Sequence, residues 1–238
     1  MARLPVSSLA LMLAATGASA DRYSACNQGE NADQRILGCT DIIQRGDQES
    51  KENRSVAYNN RGIAHKGKGN LERAVADYGE AIKLNPDYTL AYSNRANAYL
   101  ALGQYEEAIA DYSKAIDLDS ENPYSYNLRG LTYRIKGETA PAIADFNKAI
   151  ELNPNFASAY YNRARAYSEN NQYDRAVADL DKVIALDPNN DDAYNNRGAA
   201  HDNSGDQESA IVDFRQALKI NPENEDAKHN LKRLGAQQ

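Results

Sequence analysis

The sequence holds few side chains of the types that do chemistry, and their spacing argues against catalysis. Three histidines are present among 238 residues. His65 and His201 recur in the same sequence column as Tyr99, Tyr133 and Tyr167, which fits packed helix residues better than a base or a ligand. His229 lies in a polar stretch and reads as solvated. Neither a Ser nor a Cys nucleophile motif occurs, and neither does the GxxxxGK[ST] pattern that cradles phosphate. His65-Lys66-Gly67-Lys68-Gly69 reads as a turn. Asp191 and Asp192 are adjacent carboxylates, but at the start of a helix, where they face water. No catalytic group, metal site or cofactor is expected, and the chain reads as a non-enzyme.

The two cysteines offer one covalent step. Cys26 and Cys39 are too far apart for a CxxC redox pair, and no histidine lies nearby to complete a tetrahedral metal site. They are expected to pair in an oxidising compartment, closing a loop worth roughly 3 kcal/mol in the chain-entropy view. The start of the sequence points to such a compartment. Arg3 is followed by the mostly apolar stretch 4–16 and then by Ala18-Ser19-Ala20, a small-residue cleavage site. Residues 1–20 therefore read as a signal peptide cut near Ala20, giving a periplasmic or secreted protein. No later stretch approaches the roughly 20 apolar residues of a membrane-spanning helix, so no direct membrane insertion is expected. A net charge of −7 speaks against nucleic acid as a partner.

Two further charged types recur too regularly to be incidental. Arg61, Arg95, Arg129, Arg163 and Arg197 form one column, and Asp77, Asp111, Asp145, Asp179 and Asp213 another. They are either a ladder of charges facing a ligand or five similar ion pairs between helices. The second is favoured, because the arginines share a helix side with the apolar residues. The elements that position them repeat every 34 residues. Tyr58, Tyr92, Tyr126, Tyr160 and Tyr194 form a column. So do Ala74, Ala108, Ala142, Ala176 and Ala210. Gly62, Ala96, Gly130, Ala164 and Gly198 alternate between the two smallest residues, and are expected to meet the alanine column where two helices approach. Tyr78, Tyr112, Phe146 and Phe214 are expected to fill the space between copies. Pro86, Pro154, Pro188 and Pro222 close their copies, with Ser120 in the remaining one.

The copies are 55–88, 89–122, 123–156, 157–190 and 191–224, each with two helical patterns, separated in the first copy by the breaker cluster Gly67-Lys68-Gly69-Asn70. A hydrophobicity this low (mean hydropathy −0.74) suits such an array, because each copy buries its apolar face only against its neighbours. After Pro222, Ala227, Leu231 and Leu234 lie on one face of a capping helix within 225–238. Residues 21–54 read as a disulfide-stapled half-repeat followed by a charged connector from Asp47 to Arg54.

A helix-turn-helix unit of this length, with small, aromatic, alanine and proline columns in register over 55–224, resembles the tetratricopeptide repeat family. The likeness extends to small secreted or periplasmic bacterial members. It implies an all-α, right-handed α-solenoid of five full units, with a concave groove lined by the first helix of each pair. It also implies a protein or peptide partner.

Helical geometry turns one side of each first helix away from the tyrosine column. On that side lie Asn60, Asn94, Asn162 and Asn196, interrupted by Leu128, together with Asn97, Asn127, Arg134, Tyr161 and Arg165. An amide both donates and accepts, so an asparagine ladder could hold an extended peptide backbone. The family's carboxylate clamp is not matched, because Ile63 and Leu128 stand where polar groups are needed. Lys66, Arg134 and Arg165 suggest an acidic flank on the ligand, and Leu128, Leu131 and Ile135 an apolar anchor. The expected function is a non-catalytic interaction module or adaptor of the cell envelope that binds a peptide in this groove. The alternative is a self-associating structural subunit of an envelope or secretion assembly, a homo-oligomer.

Overall fold

In the computed structural model, residues 22–236 are described, and the expected signal peptide lies outside them. The chain divides into two units, one ending at Asp119 and the other beginning at Ser120. All regular elements among the described residues are helical.

The first unit opens with α1 (22–28) and α2 (Ala32–Gln44), followed by a short 3-10 turn, Gly46–Gln48. Then come α3 (Lys51–Gly67), α4 (Leu71–Leu84), α5 (Thr89–Ala101) and α6 (Tyr105–Leu118). From α2 onward each helix packs on the next, and α3 also touches α5. The second unit contains α7 (Pro123–Ile135), α8 (Thr139–Leu152), α9 (Ala157–Glu169) and α10 (Tyr173–Leu186). It ends with α11 (Asp191–Ser204), α12 (Gln207–Ile220) and α13 (Glu225–Arg233). Here too consecutive helices pack, and α7, α9, α11 and α13 form a second, direct line of neighbours. Each unit is thus all-α and built of antiparallel helical hairpins.

Local chemistry sets the helix ends. Asn122, Asn190 and Asn224 accept backbone N–H groups at the starts of α7, α11 and α13, and Pro123 occupies the first turn of α7. Asn85, Asn153, Asp187 and Asn221 each accept the backbone N–H two residues on, turning the chain between hairpins. One boundary differs from expectation. Lys51 to Arg54, read as connector, form an extra first turn of α3 capped by Ser50. Capping and hydrogen bonding build this turn rather than apolar burial, so the hydrophobic pattern is silent there.

The small column sits where the hairpin closes most tightly. A Cβ on Gly62 would lie 2.7 Å from the Tyr78 ring, and on Gly198 2.8 Å from the Phe214 ring. The fully buried aromatic therefore seats on the glycine of its own copy and, as expected, also packs with the next copy, Tyr78 with Ala98 and Phe146 with Ala166. Adding a methyl there would overpack the core by about 1–3 kcal/mol. The alanine column meets the glycines through its backbone: the Ala142 and Ala210 carbonyls lie 3.1 Å from the Cβ positions of Gly130 and Gly198.

The Arg and Asp columns form five bidentate ion pairs. Nε and Nη2 of Arg61 donate to Asp77 at 2.9 and 2.7 Å, and Arg197 grips Asp213 at 2.8 and 2.6 Å. Arg95, Arg129 and Arg163 repeat the geometry with Asp111, Asp145 and Asp179. Every one of these carboxylates is buried, and every guanidinium lies over the tyrosine three residues before it, 5.4–5.8 Å from the ring centre. The aspartate hydrogen bond and charge hold the Arg61 pKa above its usual value against the cost of burial. In three of these pairs the remaining guanidinium nitrogen reaches the preceding hairpin. Arg163 donates to Asn147 and Arg197 to Asp181, both at 2.6 Å, while Arg61 donates to Thr40 at 3.1 Å. One side chain thus closes its own hairpin and fixes it to the one before.

Cys26 and Cys39 are joined in a disulfide between α1 and α2, buried with Ile42 against Ala57 of α3. Gly38 makes the approach possible, since a Cβ there would lie 2.7 Å from the Cys26 nitrogen. None of the helices among the described residues is long and apolar enough to cross a membrane.

Candidate functional site

The first helices carry the candidate residues, and the structure shows what each one touches. In the first unit Asn60 donates to Asn27 at 2.9 Å, and Asn94 donates to Asn59 at 2.9 Å. Asn97 accepts the Tyr112 hydroxyl at 2.8 Å and is tied to its own hairpin. In the second unit Asn162 donates to Asn127 at 3.1 Å, and Asn230 to Asn195 at 3.1 Å. Asn196 donates to the Tyr161 hydroxyl at 2.9 Å and also to the Asp192 carbonyl at 2.7 Å. The asparagine column is therefore a chain of bonds between successive first helices. Asn94, Asn162, Asn196 and Asn230 each reach back 35 residues, one column earlier than their own in the preceding copy, while Asn60 reaches back 33.

This geometry changes what the ladder can offer a ligand. An amide has two N–H donors and an acceptor oxygen. Asn94 and Asn162 retain one N–H and the oxygen after their bond to the neighbour. Asn196 retains only the oxygen. Asn59, Asn127 and Asn195 are buried beneath. A single helical wheel shows which way Asn94 points but not that Asn59 waits on the adjacent helix, so these bonds were out of reach of the sequence pattern.

The charges are also redistributed. Arg134, expected to add positive potential, is almost covered and ion-paired with Glu169 of α9. Asp202 is paired with Arg233 in the same manner. Arg165 and Asp192 remain exposed, with no ion pair among the described residues. Tyr161 is half-buried between them. Burial, reinforced by the Asp192 charge, raises its phenol pKa.

Between α9 and α11 the surface dips twice. One depression, of about 310 Å³, is lined by Ser158, Tyr161, Asn162, Val183, Asn190 and Asp192. The other, of about 180 Å³, is lined by Arg165, Ser168, Glu169, Leu180 and Asn196. The Tyr161–Asn196 contact lies between them. Beside this crevice, α7 presents Tyr124, 61% exposed, with its ring edge-on to Phe156, and Ile135. The sequence reading passed over Ser158 and Asp192 as site residues. Both fall one helical turn before an asparagine of the ladder, in the column Val56, Leu90, Tyr124, Ser158, Asp192, and that spacing was the available signal.

The histidines sit away from this face. His65 is half-buried with Nε2 3.9 Å from Asp77, and burial lowers its pKa. No three metal-ligating side chains converge among the described residues.

Models described as TPR repeat match residues 67–103, 96–134 and 164–205, and others described as tetratricopeptide repeat match 146–178, 123–156 and 191–224. The chain belongs to the tetratricopeptide repeat family. Solved tetratricopeptide repeat structures agree. YrrB, described as a TPR protein with an unusual peptide-binding site, is 25% identical with a TM-score of 0.66, over 82% of this chain and 97% of its own. A MamA structure is 27% identical with a TM-score of 0.64, over 70% and 96%. A tetratricopeptide repeat protein from Parabacteroides merdae shares the fold at 20% identity, with a TM-score of 0.68 over 89% and 95%. No curated protein matches the sequence. Tetratricopeptide repeats are protein–protein interaction modules, generally without catalysis, and this chain is one of them.

Proposed function

We propose that the chain is an adaptor of the cell envelope that holds an extended peptide or protein segment against its first helices, chiefly along α9 and α11. The observation that carries this is the amide chain. Bonds between successive first helices fix the side chains before any ligand arrives, and Asn94, Asn162 and Asn196 still have backbone-binding capacity. Groups already ordered lose little entropy on binding. Neighbouring helices lie roughly 8–10 Å apart, about three residues of extended chain, so one amide per copy matches the rise of a peptide. Asn60, Asn94, Asn97, Asn127, Arg134, Tyr161, Asn162, Arg165 and Asn196 form the proposed contact set. Asn97, Asn127 and Arg134 act in it by supporting neighbours. The likeness to YrrB supports a peptide as the partner. Export fits the Cys26–Cys39 disulfide together with the leader pattern at 1–20.

The test is a triple substitution, Asn94→Ala, Asn162→Ala and Asn196→Ala, in the full chain. Crosslinking in the native compartment should capture a partner with the parent and lose it with the variant. The variant also gives up bonds between helices, so its thermal melt is measured in parallel. Unchanged capture by a folded variant removes the mechanism. Light scattering that shows a stable oligomer with α9 and α11 covered would turn the reading to self-assembly.

A further inference from the structure

The crevice between α9 and α11 has a charge polarity of its own. Its larger depression has an apolar floor at Ala157 and Val183, Tyr161 and Asn162 as walls, and the Asp192 carboxylate at the rim. No basic side chain lines it. Asp192 is exposed and has no ion pair among the described residues, so a ligand cation would meet a carboxylate that is not already engaged. At about 310 Å³ the space lies at the lower end of ligand pockets and suits one side chain rather than a whole small molecule.

Asp192 and the half-buried Tyr161 line the same depression, so a cation seated there meets a carboxylate and an aromatic ring together. One turn further along α9, Arg165 lines the second depression. Glu169 also lines it, but its carboxylate is taken by Arg134, so the charge left there is positive and a second cation of the ligand would be repelled.

We infer that this depression is a subsite for a single basic side chain, a lysine or arginine, carried by the peptide that the proposed function places along α9 and α11. The inference rests on that reading and deepens it. The methylene stem covers Val183 and Ala157, the cationic head meets Asp192 and the face of Tyr161, and Asn162 is free to hold the backbone alongside. The ligand predicted is a segment with one isolated basic residue, not a polybasic run. That separates the subsite from general attraction to an acidic protein, which favours every added charge.

The probe is a set of acetylated, amidated nonapeptide mixtures with the central residue fixed as Lys, Arg, Ala or Glu. A further mixture carries three central lysines. Binding to the full, disulfide-intact chain is read by fluorescence anisotropy. The Lys and Arg mixtures should bind about five- to tenfold more tightly than the Ala mixture, the size expected of one exposed ion pair plus a cation–π contact. The three-lysine mixture should gain nothing over one lysine. Asp192→Asn should cut the ratio to about two, the share left to the Tyr161 face, and Asp192→Lys should shift preference to Glu. Circular dichroism checks both variants, and Asp192→Ser serves if either fails to fold.

A ratio that Asp192→Asn leaves undiminished, or a gain that grows with each lysine, overturns the subsite. If parent and triple asparagine variant bind all mixtures alike, the groove reading itself falls. If the triple variant loses binding but the parent ignores the central residue, only the cation subsite falls. If no mixture binds, both are rejected.

Discussion

A buried hydroxyl shows how much one atom matters in a repeated core. Tyr78 and Tyr112 occupy the same column, yet only Tyr112 has an acceptor, Asn97. In the first copy Ile63 stands where Asn97 does in the second, and the Tyr78 hydroxyl is buried with no partner. Burial raises the pKa of both phenols, Tyr78 with a further contribution from the Asp77 charge. An unsatisfied buried hydroxyl costs about 1–3 kcal/mol, whereas a satisfied one contributes about 1 kcal/mol net. Tyr78→Phe should therefore raise stability by about 1 kcal/mol, while Tyr112→Phe lowers it by a similar amount. Phe146 and Phe214 already fill this column without a hydroxyl. Urea unfolding of the two variants checks the opposed signs, and a loss in both would mean that the Tyr78 hydroxyl has an acceptor. The Arg and Asp columns belong to the same scale and were readable from spacing alone. The contact from Arg163 to Asn147 was not, because the residue type in the column of Asn147 varies (Gly79, Ser113, Asn147, Asp181) and self-comparison highlights only what stays the same.

At the scale of elements, the turn inside each hairpin is set by one backbone angle. Gly69, Gly103, Gly137 and Gly205 all have positive φ, between 74° and 94°. The fourth copy has Asn171 there, at φ 56°. Asparagine tolerates this region better than other residues with a Cβ, because its short polar side chain bonds locally. Asn171 does so by accepting the Tyr173 hydroxyl at 2.6 Å. Asn171→Ala should cost about 1–2 kcal/mol, since alanine pays the left-handed penalty without that bond. Asn171→Gly should stay within about 0.5 kcal/mol of the parent, because the relief of strain is offset by the greater freedom of the unfolded glycine. Equal melting temperatures for the Ala and Gly variants would show that this backbone angle is not what holds the turn. The breaker cluster Gly67-Lys68-Gly69-Asn70 made the first such turn legible. The extra turn of α3 was not, because Ser50 and the polar run after it carry no hydrophobic period.

For the molecule as a whole, the repeated columns and the varied ones have separate tasks. The tyrosine, arginine, glycine, alanine and aspartate columns build hairpins, and they made the fold legible before any coordinates. The column Val56, Leu90, Tyr124, Ser158, Asp192 changes from apolar to acidic along the chain and stays exposed, which is where the proposed function would place partner choice. An array of this kind derives its stability from each hairpin and its immediate neighbours, so local changes should stay local. The disulfide tests that argument. It closes the thirteen-residue separation between Cys26 and Cys39 and holds α1 and α2 over Ala57 of α3. A loop of that length is worth about 3 kcal/mol, roughly a hundredfold in an opening equilibrium. Replacing both cysteines by serine should therefore cut hydrogen-exchange protection in α2 by about that factor and weaken α3 less. Protection in α9, α10, α11 and α12 should not change, since none of these helices is among the neighbours of α2. A loss of equal size from α2 through α12 would mean that the protein opens as one cooperative body, and the nearest-neighbour account of its stability would fail.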